Sequence, residues 1–225
     1  MKSQKFIAII LARGGSKGIK NKNITVVNKK PLIFWSIKTC LNSKLIDDVW
    51  VSSDSQKILN LSKKFGAKVI LRPKQYSKDT SSSEEAWHDA IKKLHKKYKF
   101  KAVVGIQPTS PLRPSKCLDR AILKYKKENL DSLFSSSEIN ECNIWYQKNN
   151  KLIANYNFRN RPRRQDFKKR FYENGSFYIF DKDKFLKHKC RLFGKIGVYV
   201  MSKIFSFQID EKEDIELINN FKKYF

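Results

Sequence analysis

Phe6-Ile-Ala-Ile-Ile-Leu-Ala12 is an unbroken apolar run, rich in β-branched residues, that passes directly into Arg13-Gly-Gly-Ser-Lys-Gly18. A short continuous run of this kind reads as a parallel strand buried on both faces. Such a strand needs helices above and below it, so the feature points to an α/β fold from the first turn of chain. Further strands are expected at Val49–Ser53, Lys68–Leu71 and Ala102–Ile106. Between the last two, Trp87, Ala90, Ile91, Leu94 and Tyr98 form one apolar helical stripe, and Leu118, Ala121, Ile122 and Tyr125 form another further on. Ser82 with Glu85 reads as a capping box opening the first of these helices. Alternation of this kind implies right-handed crossovers and an open, mostly parallel sheet, with ligands at the carboxyl ends of its strands. The loops after Ala12, Ser53 and Ile106 are therefore the places to look.

From about Leu133 the pattern changes to short alternating stretches, at Ile144–Tyr146, Leu152–Ala154, Ser176–Phe180, Val198–Met201 and Phe205–Ile209. These read as antiparallel strands or hairpins: an extension of the sheet plus an arm within about 135–172. Glu211–Phe225 reads as a closing helix, with Asp214 in a capping role. With 225 residues, 40% of them hydrophobic, and no Gly/Ser- or Pro-rich linker, residues 1–225 are expected to form one domain.

The first apolar run is too short to span a bilayer and no small-residue cleavage site follows it, so a cytoplasmic protein without membrane insertion is expected. Cys40, Cys117, Cys142 and Cys190 lie far apart, which suits buried free thiols rather than a zinc site. The net charge of +27 at first reads as a nucleic-acid binder. Its lysines, however, are spread over nearly every segment and recur on outward helix faces (Lys63, Lys64, Lys92, Lys93). That distribution suits solvated surface and a general attraction for polyanionic substrates such as nucleoside triphosphates, with no nucleic acid as partner.

Two loops carry the candidate chemistry. Gly14, Gly15 and Gly18 let the backbone approach a ligand and turn its amides toward phosphate oxygens, while Arg13, Lys17 and Lys22 add charge. The loop has neither the Gly-Lys-Ser/Thr ending of a P-loop nor Gly-x-Gly-x-x-Gly. After the fourth strand, Gln107-Pro-Thr-Ser-Pro-Leu-Arg113 holds two prolines that stiffen the backbone and preorganise Gln107, Thr109, Ser110 and Arg113. His88, His95 and His188 lie outside both loops, and no general base is evident.

Leu11–Asn23 together with Gln107–Arg113 resembles the CMP-sialic acid synthetase (acylneuraminate cytidylyltransferase) family. Val51-Ser-Ser-Asp54, Leu71-Arg-Pro73, Asp79–Ser83, Arg164-Gln-Asp166, Asn174–Tyr178 and Ile209-Asp210 follow in the family's order, so the resemblance covers essentially the whole chain. It implies a Rossmann-like fold of the nucleotide-diphospho-sugar transferase type, pairing as a homodimer through the arm. It also implies transfer from CTP to a nine-carbon keto-sugar acid, a nonulosonate such as N-acylneuraminate or legionaminate, with loss of pyrophosphate.

Carried over by position, the resemblance puts Arg13, Lys22 and Asn23 on the CTP phosphates, beside Gly14, Gly15, Ser16 and Lys17, with Arg13 and Lys22 catalytic. Arg72 and Ser83 would lie near cytosine and ribose, with Gln107, Thr109 and Ser110 completing the nucleotide site. Gln107, Arg113, Arg164, Asn174 and Tyr178 would meet the sugar, whose carboxylate suits an arginine fork. The family's Mg²⁺ is implied at an Asp-x-Asp pair. Here that stretch reads Gln208-Ile-Asp210, so Asp210 remains the ligand, with the uncharged Gln208 beside it. Tyr172-Glu173 stand where the sialate branch carries an arginine before Asn-Gly, which points toward a related acid. An eight-carbon sugar acid, a nucleic-acid-binding relative and an inactive relative stay as the competing readings.

Overall fold

The computed structural model describes residues 5–16, 18–138, 143–166 and 169–225. Eleven strands and six helices follow along these residues. They are β1 (Phe6–Leu11), β2 (Val26–Val27), β3 (Lys30–Pro31), α1 (Leu32–Leu41), β4 (Asp48–Ser53), α2 (Gln56–Lys64) and β5 (Lys68–Leu71). Next come α3 (Ser83–His95), β6 (Ala102–Ile106), α4 (Ser115–Lys127), β7 (Ser132–Glu138), β8 (Trp145–Lys148) and β9 (Lys151–Ala154). The chain closes with β10 (Phe171–Asp181), α5 (Lys182–His188), β11 (Ile196–Val200) and α6 (Lys212–Asn219).

β1 lies inside a seven-stranded sheet of order β11-β7-β10-β6-β1-β4-β5. It pairs in parallel with both β4 and β6, and all six of its residues are buried. Its side chains alternate between faces as the pleat requires. Phe6, Ala8 and Ile10 join a core with α1, α2 and α4, while Ile7, Ile9 and Leu11 join one with α3 and α5. The sheet is thus covered on both sides, as the apolar run of β1 requires. From β1 the chain first builds outward through β4 and β5, then returns to place β6 on the other flank. That reversal creates a switch point between the carboxyl ends of β1 and β6.

The capping box of α3 forms as expected, with Ser82 Oγ accepting from the Glu85 amide and Glu85 accepting from the Ser82 amide. Asp214 also caps, as the third residue of α6 in a box with Glu211. Cys40 and Cys117 are buried, burial pushing the Cys40 thiol up to about 12, whereas Cys190 is exposed; Cys142 lies outside the described residues.

Three expectations for the second half need correction, and one strand was not anticipated. Ser132–Glu138 is a strand of the central sheet although its sequence, SLFSSSE, lacks an apolar rhythm. Its buried serines replace apolar packing with hydrogen bonds, Ser132 Oγ to Phe193 O at 2.8 Å and Ser136 Oγ to Tyr172 O at 2.7 Å among them. β11 is not antiparallel to its neighbour but pairs with β7 in parallel; β10 alone runs against the rest of the sheet. Phe205–Ile209 is not a strand, because the chain tightens into a 3-10 turn over Lys203–Ser206 before running on extended. Finally, the closing helix stops at Asn219, and only a 3-10 turn, Lys222–Tyr224, follows it.

β8 and β9 form a separate hairpin that does not pair with the central sheet. Asn149 and Asn150 take φ of 49° and 58° at its tip, the left-handed pair that a tight hairpin turn needs. Trp145, Tyr146 and Leu152 on it are exposed. No helix among the described residues is long and apolar enough to cross a membrane.

Gly105 on β6 lies under Trp87 of α3, where an added Cβ would come within 2.6 Å of the indole ring. Trp87 is fully buried and donates to Ile9 O at 3.3 Å, so it has little room to retreat. Gly105→Ala should therefore cost roughly 1–3 kcal/mol, the usual range for overpacking. Its thermal unfolding midpoint should fall by roughly 2–4 °C for each kcal/mol.

Candidate active site

A cavity of about 560 Å³ opens at the switch point. The loops after β1 and β6 both line it, and the segment before α6 closes its third side. Backbone contacts hold the three together. Ile209 N donates to Thr109 O at 2.8 Å, and Lys22 Nζ donates to Ile209 O at 3.0 Å. Gly18 must be glycine here, because a Cβ would sit 2.8 Å from the carbonyl oxygen of Asp210.

Of the residues expected to meet nucleotide, Arg13, Ser16, Lys22 and Asn23 line the cavity from the first loop, and Gln107 and Thr109 from the second. Arg72 and Ser83 line it from the ends of β5 and α3, and Gln208 and Asp210 from the C-terminal segment. Lys17 and the side chain of Arg164 lie outside what the structure describes. Gly14, Gly15 and Ser110 are not on the wall. Gly14 spends its amide on Asp54 Oδ1 at 2.9 Å, and neither it, Gly15 nor Gly18 takes a positive φ. The expected nest of inward amides is thus replaced, at Gly14, by a loop pinned from beneath. Asn23 is also partly committed, since Nδ2 donates to Arg13 O at 2.9 Å and fixes the turn that presents Arg13.

Three residues expected on the sugar are turned into the fold. Arg113 is fully buried, donating from Nη1 to Ser176 O and Oγ at 2.7 Å each and from Nη2 to Ser36 Oγ at 3.1 Å. It ties the second loop to α1 and β10, and burial pulls its pKa below the usual guanidinium value. Asn174 is fully buried as well, with Oδ1 accepting from Ser135 Oγ at 2.6 Å and Nδ2 donating to Ser206 Oγ at 2.8 Å. Tyr178 is 4% exposed and does not line the cavity. Its hydroxyl bonds Glu173 at 2.9 Å, and burial together with that carboxylate pushes it up to about 12.

Four cations (Arg13, Lys22, Arg72, Lys78) face two carboxylates (Asp79, Asp210) around the described walls, a balance that favours an anion. Arg13 Nη1 pairs with Asp79 at 2.8 Å and Lys22 Nζ with Asp210 at 2.9 Å. Arg72 differs from both. It is 5% exposed, and its Nε and Nη2 have no hydrogen-bond partner. Burial lowers its pKa, while Asp54 and Asp89 hold it up. A buried guanidinium with two unpartnered nitrogens behind a cavity wall is a costly arrangement that added polar partners would relieve.

The sequence reading missed the outer wall. Tyr76, Ser77, Lys78 and Ser81, in the loop after β5, also line the cavity. The rule that ligands sit at strand carboxyl ends applies to β5 as to its neighbours, but nothing in a polar loop of this composition marks it as a wall. The loop after β4 supplies Asp54 beneath Gly14 and no lining residue.

Residues 7–224 match the sequence pattern of the family described as Cytidylyltransferase. The chain belongs to the cytidylyltransferase family. A curated relative, N-acylneuraminate cytidylyltransferase A of Danio rerio, is 37% identical over 216 residues, 93% of this cytidylyltransferase but only 49% of the relative. The chain thus spans about half the length of that relative. Post-translational flagellin modification protein B of Campylobacter coli is 29% identical over 219 residues, covering 94% of this chain and 92% of its own. In fold, the chain resembles CMP:2-keto-3-deoxy-manno-octonic acid synthetase complexed with CTP, with a TM-score of 0.72 and 16% identity over 97% of this chain and 98% of the other.

The two buried arginines should separate cleanly on substitution. Arg113→Met removes the guanidinium partner of the buried Ser36 and Ser176 hydroxyls, while Ser176 O keeps the Gln107 amide, and it should lower stability by roughly 1–3 kcal/mol. Arg72→Met removes donors that the protein leaves unspent, so its melting midpoint should change little while binding of CTP weakens about tenfold or more. Thermal unfolding and equilibrium CTP binding on both variants check this.

Proposed function

We propose that this chain couples CTP to a nine-carbon 2-keto-3-deoxy sugar acid of the N-acylneuraminate or legionaminate type, giving the CMP-sugar and pyrophosphate. The observation that carries the reading is the cavity shared by the first two loops, with the unspent Arg72 guanidinium on its wall. Family membership supports cytidylyl transfer, and the N-acylneuraminate cytidylyltransferase relative supports a sugar acid of this class.

In this mechanism the anomeric hydroxyl of the sugar attacks the α-phosphorus of CTP in line with the departing pyrophosphate. Such transfers ask little covalent work of a protein; position and charge dominate. Arg13 and Lys22 each hold a carboxylate and would exchange Asp79 and Asp210 for phosphate oxygens as the triphosphate enters. Both carboxylates are about half-exposed or more, so the exchange is inexpensive. Pro108 stiffens the loop that presents Gln107 and Thr109 toward the reacting groups. None of His88, His95 and His188 lines the cavity, so none of them serves as the base that takes the hydroxyl proton.

Asp210 suits Mg²⁺. It is a carboxylate with 64% of its side chain exposed, on the cavity wall, and Mg²⁺ commonly takes one or two carboxylates with phosphate oxygens and water. No group of three or more His, Cys, Asp or Glu is gathered among the described residues, so the ion would share Asp210 with the nucleotide. When bound, it would neutralise phosphate charge and polarise the reacting oxygens. The exposed Trp145, Tyr146 and Leu152 of the hairpin are the surface we assign to homodimer contact.

Pyrophosphate release with CTP, Mg²⁺ and a panel of nonulosonic acids tests the reading. Arg13→Ala should lower turnover about a hundredfold or more, the loss of one developing-charge donor. Near-normal turnover in that variant would sink the assignment.

A further inference from the structure

Gln208 stands at the cavity beside Asp210, where it was expected to share a metal ion, but its carboxamide is already oriented by the protein. Nε2 donates to the main-chain oxygen of Asn174. That oxygen can only accept, so the amide nitrogen must face it, and the carbonyl end is turned the other way. There Thr109 Oγ1 lies 3.4 Å from Oε1, long for a hydroxyl bond, which leaves the oxygen free for a closer donor.

The backbone that sets this orientation is itself held firmly. Asn174 is fully buried, and its side chain accepts from Ser135 Oγ and the Ser176 amide and donates to Ser206 Oγ. The next residue, Gly175, takes φ +63°, and a Cβ there would stand 3.0 Å from Gln208 Nε2. The Asn174 carbonyl is therefore aimed at position 208 by a buried network below it and a left-handed glycine after it. A carboxylate at 208 would bring acceptor against acceptor, whereas an amide satisfies the carbonyl and keeps one neutral acceptor for the cavity.

We propose that Gln208 is a substrate-reading residue: Oε1 accepts a hydrogen bond from a hydroxyl of the sugar acid, and Asp210 is left as the one side chain of this pair that meets the metal ion. The inference rests on the functional reading above. It assigns Asn174 a positioning role, acting on substrate only through Gln208 and Gly175.

The test uses the full chain. Gln208→Met keeps the length of the side chain and removes its polar atoms; Gln208→Asn keeps the amide but draws it back by one methylene. Two quantities are measured for each, beside the wild type. One is the KM for the nonulosonic acid that the wild type turns over fastest. The other is the Mg²⁺ concentration that gives half of the rise in melting midpoint in the presence of CTP.

The expected result is a KM for the sugar raised about tenfold, as for one lost hydrogen bond, with the Mg²⁺ half-point unchanged. A Mg²⁺ half-point weakened several-fold in either variant overturns the inference in favour of metal ligation. Unchanged sugar KM in both also overturns it. The midpoint without CTP or Mg²⁺ shows whether a variant folds, and if Gln208→Met does not, Gln208→Asn decides. A wild type that releases no pyrophosphate with any sugar acid overturns the functional reading and this inference together, whereas a failure confined to the variants removes this inference alone.

Discussion

The parallel pairing of β1 with β4 on one side and β6 on the other is the constraint on which the rest of the molecule depends. Because β1 is buried on both faces, the sheet needs helices above and below, and the chain supplies them in alternation. Because β6 returns to the flank of β1 away from β4, the loops after Leu11 and Ile106 leave the sheet side by side. A cleft follows from that geometry before any side chain is considered. Cations in the first loop and stiff polar groups in the second then give it a preference for a polyanion.

Around this cleft the protein sorts its polar groups by their unspent capacity. Asn174 and the serines of β7 are satisfied internally, Arg113 is held through both its Nη atoms, and together they keep the loops in register. Arg72 keeps unspent donors on the wall, and Gln208 keeps much of its acceptor capacity there. Arg13 and Lys22 sit between these extremes, held by well-exposed carboxylates that a triphosphate would replace. The site is thus preorganised in its backbone and reversible in its charges.

Legibility from sequence followed physical type. β1 and β6 were readable because a strand buried on both faces has no choice but apolar residues, and β4 and β5 by their short apolar runs Val49–Val51 and Val69–Leu71. The stripes of α3 and α4 were readable because one face must meet the sheet. β7 was not, since Ser135, Ser136 and Ser137 are buried through hydrogen bonds to partners far along the chain, and no local rhythm records that. Position 113 failed for a related reason. An arginine beside a proline-stiffened loop looks like a ligand-binding group, and only the approach of Ser36 and Ser176 shows that both its Nη atoms bond inside the fold.

The sequence by itself determined the α/β class, the two loops that face each other, and the cationic character of the cleft. These rest on local facts: apolar runs, glycine and proline positions, and charge. Tertiary structure decided which polar side chains remain available to a ligand. Availability depends on partners brought together by folding, as the Asn174 carbonyl is brought to Gln208 and Asp79 to Arg13. A hydrogen-bonding group has the same identity in the sequence whether it is spent or free, and only its neighbours in space distinguish the two.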